Sequence, residues 1–312
     1  MNPLPPEEAT ELGRAAAKAF AAVGGVDAAR RAEEEPAFRS TAVAGTLDAL
    51  GLEDLDPRSD PDALAAAAAV CEAAGRAALP YPVASVLLAD GDRRPFAVVP
   101  DGAPRVDHGD LFPEWVVSTG DGSTALARPV GGRLATVLGT FVTDVEIGGA
   151  AAGPGPVDHH LALTASTVLG VVDRAVELAV EHVNGRIQFG KPIASFQAVQ
   201  FQLADCAVAV AGLRELTRFT LWRIGDDLPA ARPDVLALRV HSIDVARQVL
   251  RTTQQLHGAA GVCDEYDVSV LTRMVQPALR LPWSAERTAA ALADAIDEHG
   301  FEGLFPHGAA LA

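Results

Sequence analysis

Cysteine is scarce in this sequence: 312 residues hold three, Cys71, Cys206 and Cys263, and no two form a CxxC pair. A disulfide framework or a paired-cysteine metal knuckle is excluded on that count, and an odd number of thiols fits a reducing compartment. Cys71 and Cys206 fall in apolar helical runs and are expected in the core. Basic residues are also short, 25 Lys and Arg against 41 Asp and Glu, for a net charge of -16. A nucleic-acid surface needs the opposite balance, so no nucleic acid is expected as a partner. Any polyanionic ligand must be held by local groups. Long apolar runs are missing too: stretches such as Ala63–Cys71 are far too short to span a bilayer. Met1–Pro6 is polar and Pro-rich, with no basic stretch before an apolar core. The expectation is a cytoplasmic protein without a membrane partner.

What is present is alanine. Hydrophobic residues make up 49% while aromatics make up 5%. Alanine loses no side-chain entropy in a helix, so a mainly α protein is expected, packed with Ala, Val and Leu. Pro5-Pro6-Glu7-Glu8 starts a helix over Glu7–Val23. A second stretch, Thr41–Leu50, stops at Gly51, and a third, Ala63–Leu79, ends at Pro80 and Pro82. Between Val83 and Gly149 the pattern turns to short β-type runs, Phe96–Val99, Trp115–Ser118, Leu134–Leu138 and Phe141–Ile147, separated by Gly/Asp turns. This reads as a small antiparallel β domain. After a Gly/Ala/Pro linker come four long helical segments, His159–Asn184, Ser195–Ile224, Pro233–His257 and Trp283–Glu298, an antiparallel bundle. The expected division is a helical domain over 1–82, a reduced β domain over 83–149 and a helical bundle over 150–312. The acidic run Glu33–Glu35 is expected on a solvated helix face, and Trp222 and Trp283 at helix interfaces. His159 and His160 lack a third ligand at useful spacing, so no metal site is expected.

Two segments carry chemistry. The first runs from Arg186 through Phe189-Gly190 and Ile193 to Gln197, with the form R-x-x-F-G-x-x-[ILV]-x-x-x-Q. The second is Gln255-Leu-His-Gly258-Ala-Ala-Gly261, followed by Glu265-Tyr266 and Arg273. A guanidinium forks two hydrogen bonds onto phosphate oxygens. A ring such as Phe189 packs on a flat base, an amide both donates and accepts, and glycines admit a ligand where a Cβ would collide. Taken singly, these residues are equally a surface Arg, a core ring and a helix end. Together, in this order and within an α–β–α layout, they resemble the acyl-CoA dehydrogenases, flavin enzymes with an N-terminal helical domain, a middle β domain and a C-terminal four-helix bundle. The resemblance implies that Arg186, Phe189, Gln197, Gln255, Gly258 and Gly261 grip the ADP half of an FAD whose flavin lies in a neighbouring subunit. Lys191 on the same loop is a solvated charge or a further phosphate contact.

The catalytic side departs from the family. Removing a proton alpha to a thioester needs a base, by family precedent a carboxylate. Counting on from Gln255 puts that position at Pro282, or at Trp283–Ser284 with a small gap, and none is acidic. The position used in other branches falls on His160. His160 and Glu286 are the remaining candidates, both weak. The family's flavin-binding and thioester-binding pattern is absent from Leu87–Val99 and Phe112–Ser118, and Leu161 replaces the CoA-facing Arg. Losses on the flavin and substrate side, with the ADP side intact, resemble the shortened subunits of heterotetrameric actinobacterial steroid side-chain dehydrogenases. On that resemblance a homologous subunit supplies the flavin pocket and base. Acyl-CoA is then the substrate, with an electron acceptor such as an electron-transfer flavoprotein. The alternatives are a self-sufficient homotetramer with an atypical base and a non-catalytic structural pseudo-subunit.

Overall fold

The computed structural model describes residues 4–132, 139–150, 153–225 and 231–299. Helix α1 (Glu7–Ala22) carries Glu7 and Glu8 in its first turn, where acids favour the helix dipole. Helix α2 (Val26–Glu34) follows Gly24 and Gly25, both at positive φ. A π-helical turn, Arg39–Val43, leads into α3 (Ala44–Ala49), which ends at left-handed Gly51. Helix α4 (Pro61–Arg76) begins with Asp60 accepting from the Ala63 amide at 2.8 Å and Pro61 at the first position. The short α5 (Val83–Leu87) closes the helical part.

Five strands follow: β1 (Phe96–Val98), β2 (Arg105–Asp107), β3 (Trp115–Ser118), β4 (Ala125–Pro129) and β5 (Val142–Ala150). Their order in the sheet is β1-β3-β4-β5-β2. The expectation of a purely antiparallel domain is corrected: β1 pairs with β3 in parallel, Phe96 opposite Val116, while the other pairs are antiparallel. The polypeptide leaves β1, makes β2 at the far edge and returns, which permits the parallel pair. Strands β2 and β4 were not expected, because RVD and ALARP are too short and too polar to show a period of two. Leu134–Leu138 lies outside the described residues.

The C-terminal half is built from α6 (Val157–Gly185), a small hairpin of β6 (Ile187–Gln188) and β7 (Lys191–Pro192), α7 (Gln197–Gly225), α8 (Ala231–His257), α9 (Asp267–Met274), α10 (Gln276–Arg280) and α11 (Ala285–His299). The long helices match expectation within a few residues. His182 and His257, near the C-terminal ends of α6 and α8, stack at 4.4 Å, so those two helices run parallel. Helix α4 crosses α6 at bare backbone: a Cβ on Gly75 would lie 2.0 Å from the Thr167 carbonyl oxygen, and one on Gly170 would lie 1.9 Å from that of Glu72. This crossing joins the N-terminal helices to the bundle, and Leu64, Val70, Leu163 and Leu236 share one core around it. Cys71 and Cys206 are buried and Cys263 is exposed.

One surface expectation is corrected. Glu33 is not solvated: it accepts from Nε and Nη2 of Arg273 at 3.0 and 2.9 Å and from the Thr140 hydroxyl, tying α2 to α9. Trp283 shares a core with α8 and α11 residues, with Arg232 of α8 5.9 Å from its ring centre, and it also meets the β part. A Cβ on Gly120, in the turn after β3, would lie 2.2 Å from its ring. No helix among the described residues is long and apolar enough to cross a membrane.

Candidate functional site

Helix α6 carries candidate chemistry at both ends. At its C-terminal end the chain leaves through Arg186 and turns back in the β6–β7 hairpin, with Gln188 opposite Lys191. The two turn residues, Phe189 and Gly190, both have positive φ, 52° and 77°, as the twist of a two-residue hairpin demands. Glycine takes that geometry freely. Phenylalanine does so at a cost on the order of 1–2 kcal/mol. Phe189 is also 90% exposed, so neither local conformation nor burial explains the ring. Phe196 meets it edge-on at 6.2 Å, and the Lys191 ammonium sits 4.5 Å from the Phe196 ring centre. Lys191 is thus a cation–π partner within the hairpin.

The second segment reaches the same end of the bundle. His257 lies between His182 and Tyr266, whose ring centre is 6.2 Å away, and its Nδ1 is 2.7 Å from the Thr253 carbonyl oxygen. Burial, then His257 and Arg186 nearby, hold His182 below its ordinary pKa. Ala179, Val183 and Leu256 cluster with Ile193 and Val199, locking the hairpin onto α8. Arg186, Phe189, Gln197, Gln255 and Gly258 are all exposed. Gly258 has φ +63 and open space where a Cβ would be, which suits close approach of a ligand. Gly261 has a different reason: it is buried, and a Cβ would fall 2.4 Å from the Gln254 carbonyl oxygen. His257 and Tyr266 fall within the second sequence segment without an assigned role, and His182 lies outside both segments.

The N-terminal end of α6 borders a cleft of about 120 Å³ between α5, strands β1 and β2, α8 and the segment from α10 to Pro282. Both expected base positions line it. One is occupied by Pro282. The other is His160, whose Nε2 is 3.3 Å from the Ser85 hydroxyl and whose buried Nδ1 has no partner. Burial and the nearby Arg239 push His160 down to about 4, so at neutral pH it is an uncharged and feeble proton acceptor. Arg239, 2% exposed, donates to the carbonyls of Ala278, Leu281 and Trp283 and so fixes the backbone of the base position. Glu286 is exposed in the first turn of α11, outside this lining, and its carboxyl is held low by its own backbone amide and Ser284. The lining contains one carboxylate, Asp107 of β2. Its side chain keeps 35% of its surface exposed, yet the surrounding protein pushes its carboxyl up to about 7 against the pull of the His108 amide and Arg39. Asp107 was missed because a lone Asp beside a turn carries no sequence signal. Among the described residues no group of three metal-binding side chains comes together.

This layout of helices, small sheet and long bundle is the acyl-CoA dehydrogenase fold. Residues 156–279 match the family model described as acyl-CoA dehydrogenase, C-terminal domain. Among solved structures, a chain of a Tcur3481–Tcur3483 steroid ACAD variant is similar with a TM-score of 0.79 and 21% identity, covering 94% of this chain and 98% of that one. A chain of the ChsE4–ChsE5 complex from Mycobacterium tuberculosis gives 0.78 and 20%, covering 96% and 99%. Among curated proteins, the acyl-CoA dehydrogenase IpdE2 of Mycolicibacterium smegmatis is 28% identical over 231 residues, 66% of this chain and 71% of that protein. The acryloyl-CoA reductase (NADH) of Anaerotignum propionicum is 31% identical over 105 residues, 34% of this chain. The acyl-CoA dehydrogenase FadE27 of M. tuberculosis is 34% identical over 107 residues, 32% of this chain. The chain spans about a quarter of the last two, 26% and 29% of their lengths.

Proposed function

We propose that this chain is one subunit of a cytoplasmic, heteromeric, FAD-dependent acyl-CoA dehydrogenase. It holds the ADP half of the cofactor, while a homologous partner supplies the flavin pocket, the base and most of the acyl-CoA site. The observation that carries the reading is the separation of the two ends of α6. His160 and Arg186 lie 26 residues apart on one helix, about 39 Å at 1.5 Å per residue. No one dinucleotide reaches both from within a single chain, so a clamp at Arg186 serves a site completed by another subunit.

The residues at the Arg186 end fit the ADP half. The Arg186 guanidinium has no protein partner among the described residues, and the Phe189 ring is held out in an unfavourable conformation. A guanidinium, a displayed ring, the Gln255 amide and the bare backbone at Gly258 together match a diphosphate and an adenine. The other end fits the flavin half poorly. The Trp283 ring fills the space over Gly120, and Pro282 stands where the carboxylate would be. FAD, when bound, supplies the hydride acceptor for the acyl β-carbon. This chain's part is to bind and orient. The names of the steroid ACAD and ChsE4–ChsE5 neighbours support a two-subunit assembly and a steroid side chain as the acyl group, with an electron-transfer flavoprotein as a suitable acceptor.

Purification alone and with a homologous dehydrogenase subunit from the same genome tests the reading. The isolated chain should be colourless and inactive, and the co-purified complex yellow and active with an acyl-CoA. Stoichiometric FAD and turnover in the isolated chain would sink it. The second reading, a self-sufficient homotetramer with an atypical base, is favoured by Asp107, the one carboxylate that lines the cleft. Its mark would be solo activity abolished by Asp107→Asn.

A further inference from the structure

A second groove, of about 440 Å³, runs between α8 and the α9–α10 segment. Nine residues line it, and three are arginines: Arg247, Arg251 and Arg280. None of the nine is acidic, although the whole chain carries -16. A positive island inside a strongly acidic protein is costly to keep unless something uses it, because the cations repel one another.

The three guanidiniums differ in what already holds them. Arg247 lies 4.0 Å from Asp244, an exposed pair worth little, and close enough to Glu286 to lower its carboxyl. Arg280 is steadied through Nε on the Gln276 amide oxygen at 3.1 Å, and the Gln276 amide nitrogen in turn donates to the Thr272 carbonyl at 2.7 Å. The Arg280 terminal nitrogens have no protein partner among the described residues. Arg251 has no hydrogen-bond or ion-pair partner among them at all. Two forks are therefore free, one of them oriented by a relay of amides.

We infer that this groove binds a phosphate-bearing small molecule of nucleotide size, its phosphate groups forked by Arg251 and Arg280. Guanidinium is the side chain whose planar donors match phosphate oxygens two at a time. A concave site suits a small ligand better than a flat protein partner. The position is separate from the Arg186 hairpin but on the same helix as its partner: Arg251 is one turn before Gln255 on α8. The inference does not need the cofactor reading, and the experiment separates the two.

Titration calorimetry with inorganic pyrophosphate and with ADP, on the full chain, tests it. Saturable binding is expected, steeply weakened by added salt. Loss of one charged fork weakens it about tenfold or more, so Arg251→Met with Arg280→Met should reduce affinity at least about a hundredfold, with an unchanged circular dichroism spectrum and Tm. Lysine at both positions should recover part of the loss, as charge without the fork. FAD content of the assembled complex should not change in the methionine variant. Three results would overturn the inference. One is no binding by the wild-type chain. Another is wild-type affinity in the double variant with loss in Arg186→Ala, which places the phosphate at the hairpin and leaves the cofactor reading standing. The third is loss of a co-purifying protein in the double variant with pyrophosphate binding intact, which makes the groove a docking surface.

Discussion

The two ends of helix α6 show opposite economies of burial. At the His160 end groups turn inward around the cleft: Pro282 stands in the expected base position, Trp283 caps Gly120, and Arg239 gathers three carbonyls. Polar atoms there are enclosed, some without a partner. At the Arg186 end the polypeptide opens out, with a guanidinium and an aromatic ring facing solvent. An exposed ring in a strained turn needs a reason beyond folding, because folding alone would favour glycine or asparagine there. The contrast is between polar groups gathered inward around a small cleft and polar and aromatic groups displayed outward.

The joint between the two halves is the place where the comparison breaks most completely. Gly170→Ala should cost on the order of 4 kcal/mol or more, because the new methyl meets the Glu72 carbonyl rather than a side chain that can turn away. Chemical denaturation reads this, and an unchanged midpoint would show that the helices slide apart freely. The His160 end should reveal itself through pH. His160 has a folded pKa of about 4 against an ordinary 6.5. The unfolded chain therefore binds more protons between those values, and stability falls as pH drops from about 6.5 to about 4, by roughly 2–3 kcal/mol. His160→Gln should flatten that slope in denaturation curves taken across the interval.

The open end should respond in function instead. Arg186→Ala should weaken FAD retention by the complex by roughly 1.5–3 kcal/mol, about tenfold to a hundredfold, with subunit association unchanged by gel filtration. Phe189→Gly should give the smallest change and the most diagnostic one. Releasing the turn strain should leave the isolated chain as stable or about 1 kcal/mol more stable, while FAD retention declines. A stability loss in Phe189→Gly would mean the ring supports the hairpin.

Much of the helical fold was legible. Alanine-rich runs bounded by Pro and Gly placed the long helices within a few residues, because helix signals are local. The sheet was less so: Arg105–Asp107 and Ala125–Pro129 owe their strand form to neighbours far along the chain. Motif context singled out Arg186, Phe189 and Gln255, whose segments the structure brings to one end of the bundle. Arg239, Asp107 and the Arg251 groove were not singled out, since each depends on helices and strands that meet only after folding. Glu33 misled for the same reason: an acid in an acidic run looks solvated until Arg273, 240 residues on, arrives beside it.

The turn at Phe189 and Gly190 has a thermodynamic consequence. Its dihedral cost is levied when the hairpin forms, before any encounter. A planar molecule stacking on that ring therefore has little loop freedom left to quench, and the entropic penalty of capture is correspondingly small. Association at that surface should then depend weakly on temperature through ordering, as with a rigid receptor rather than a segment that folds on contact.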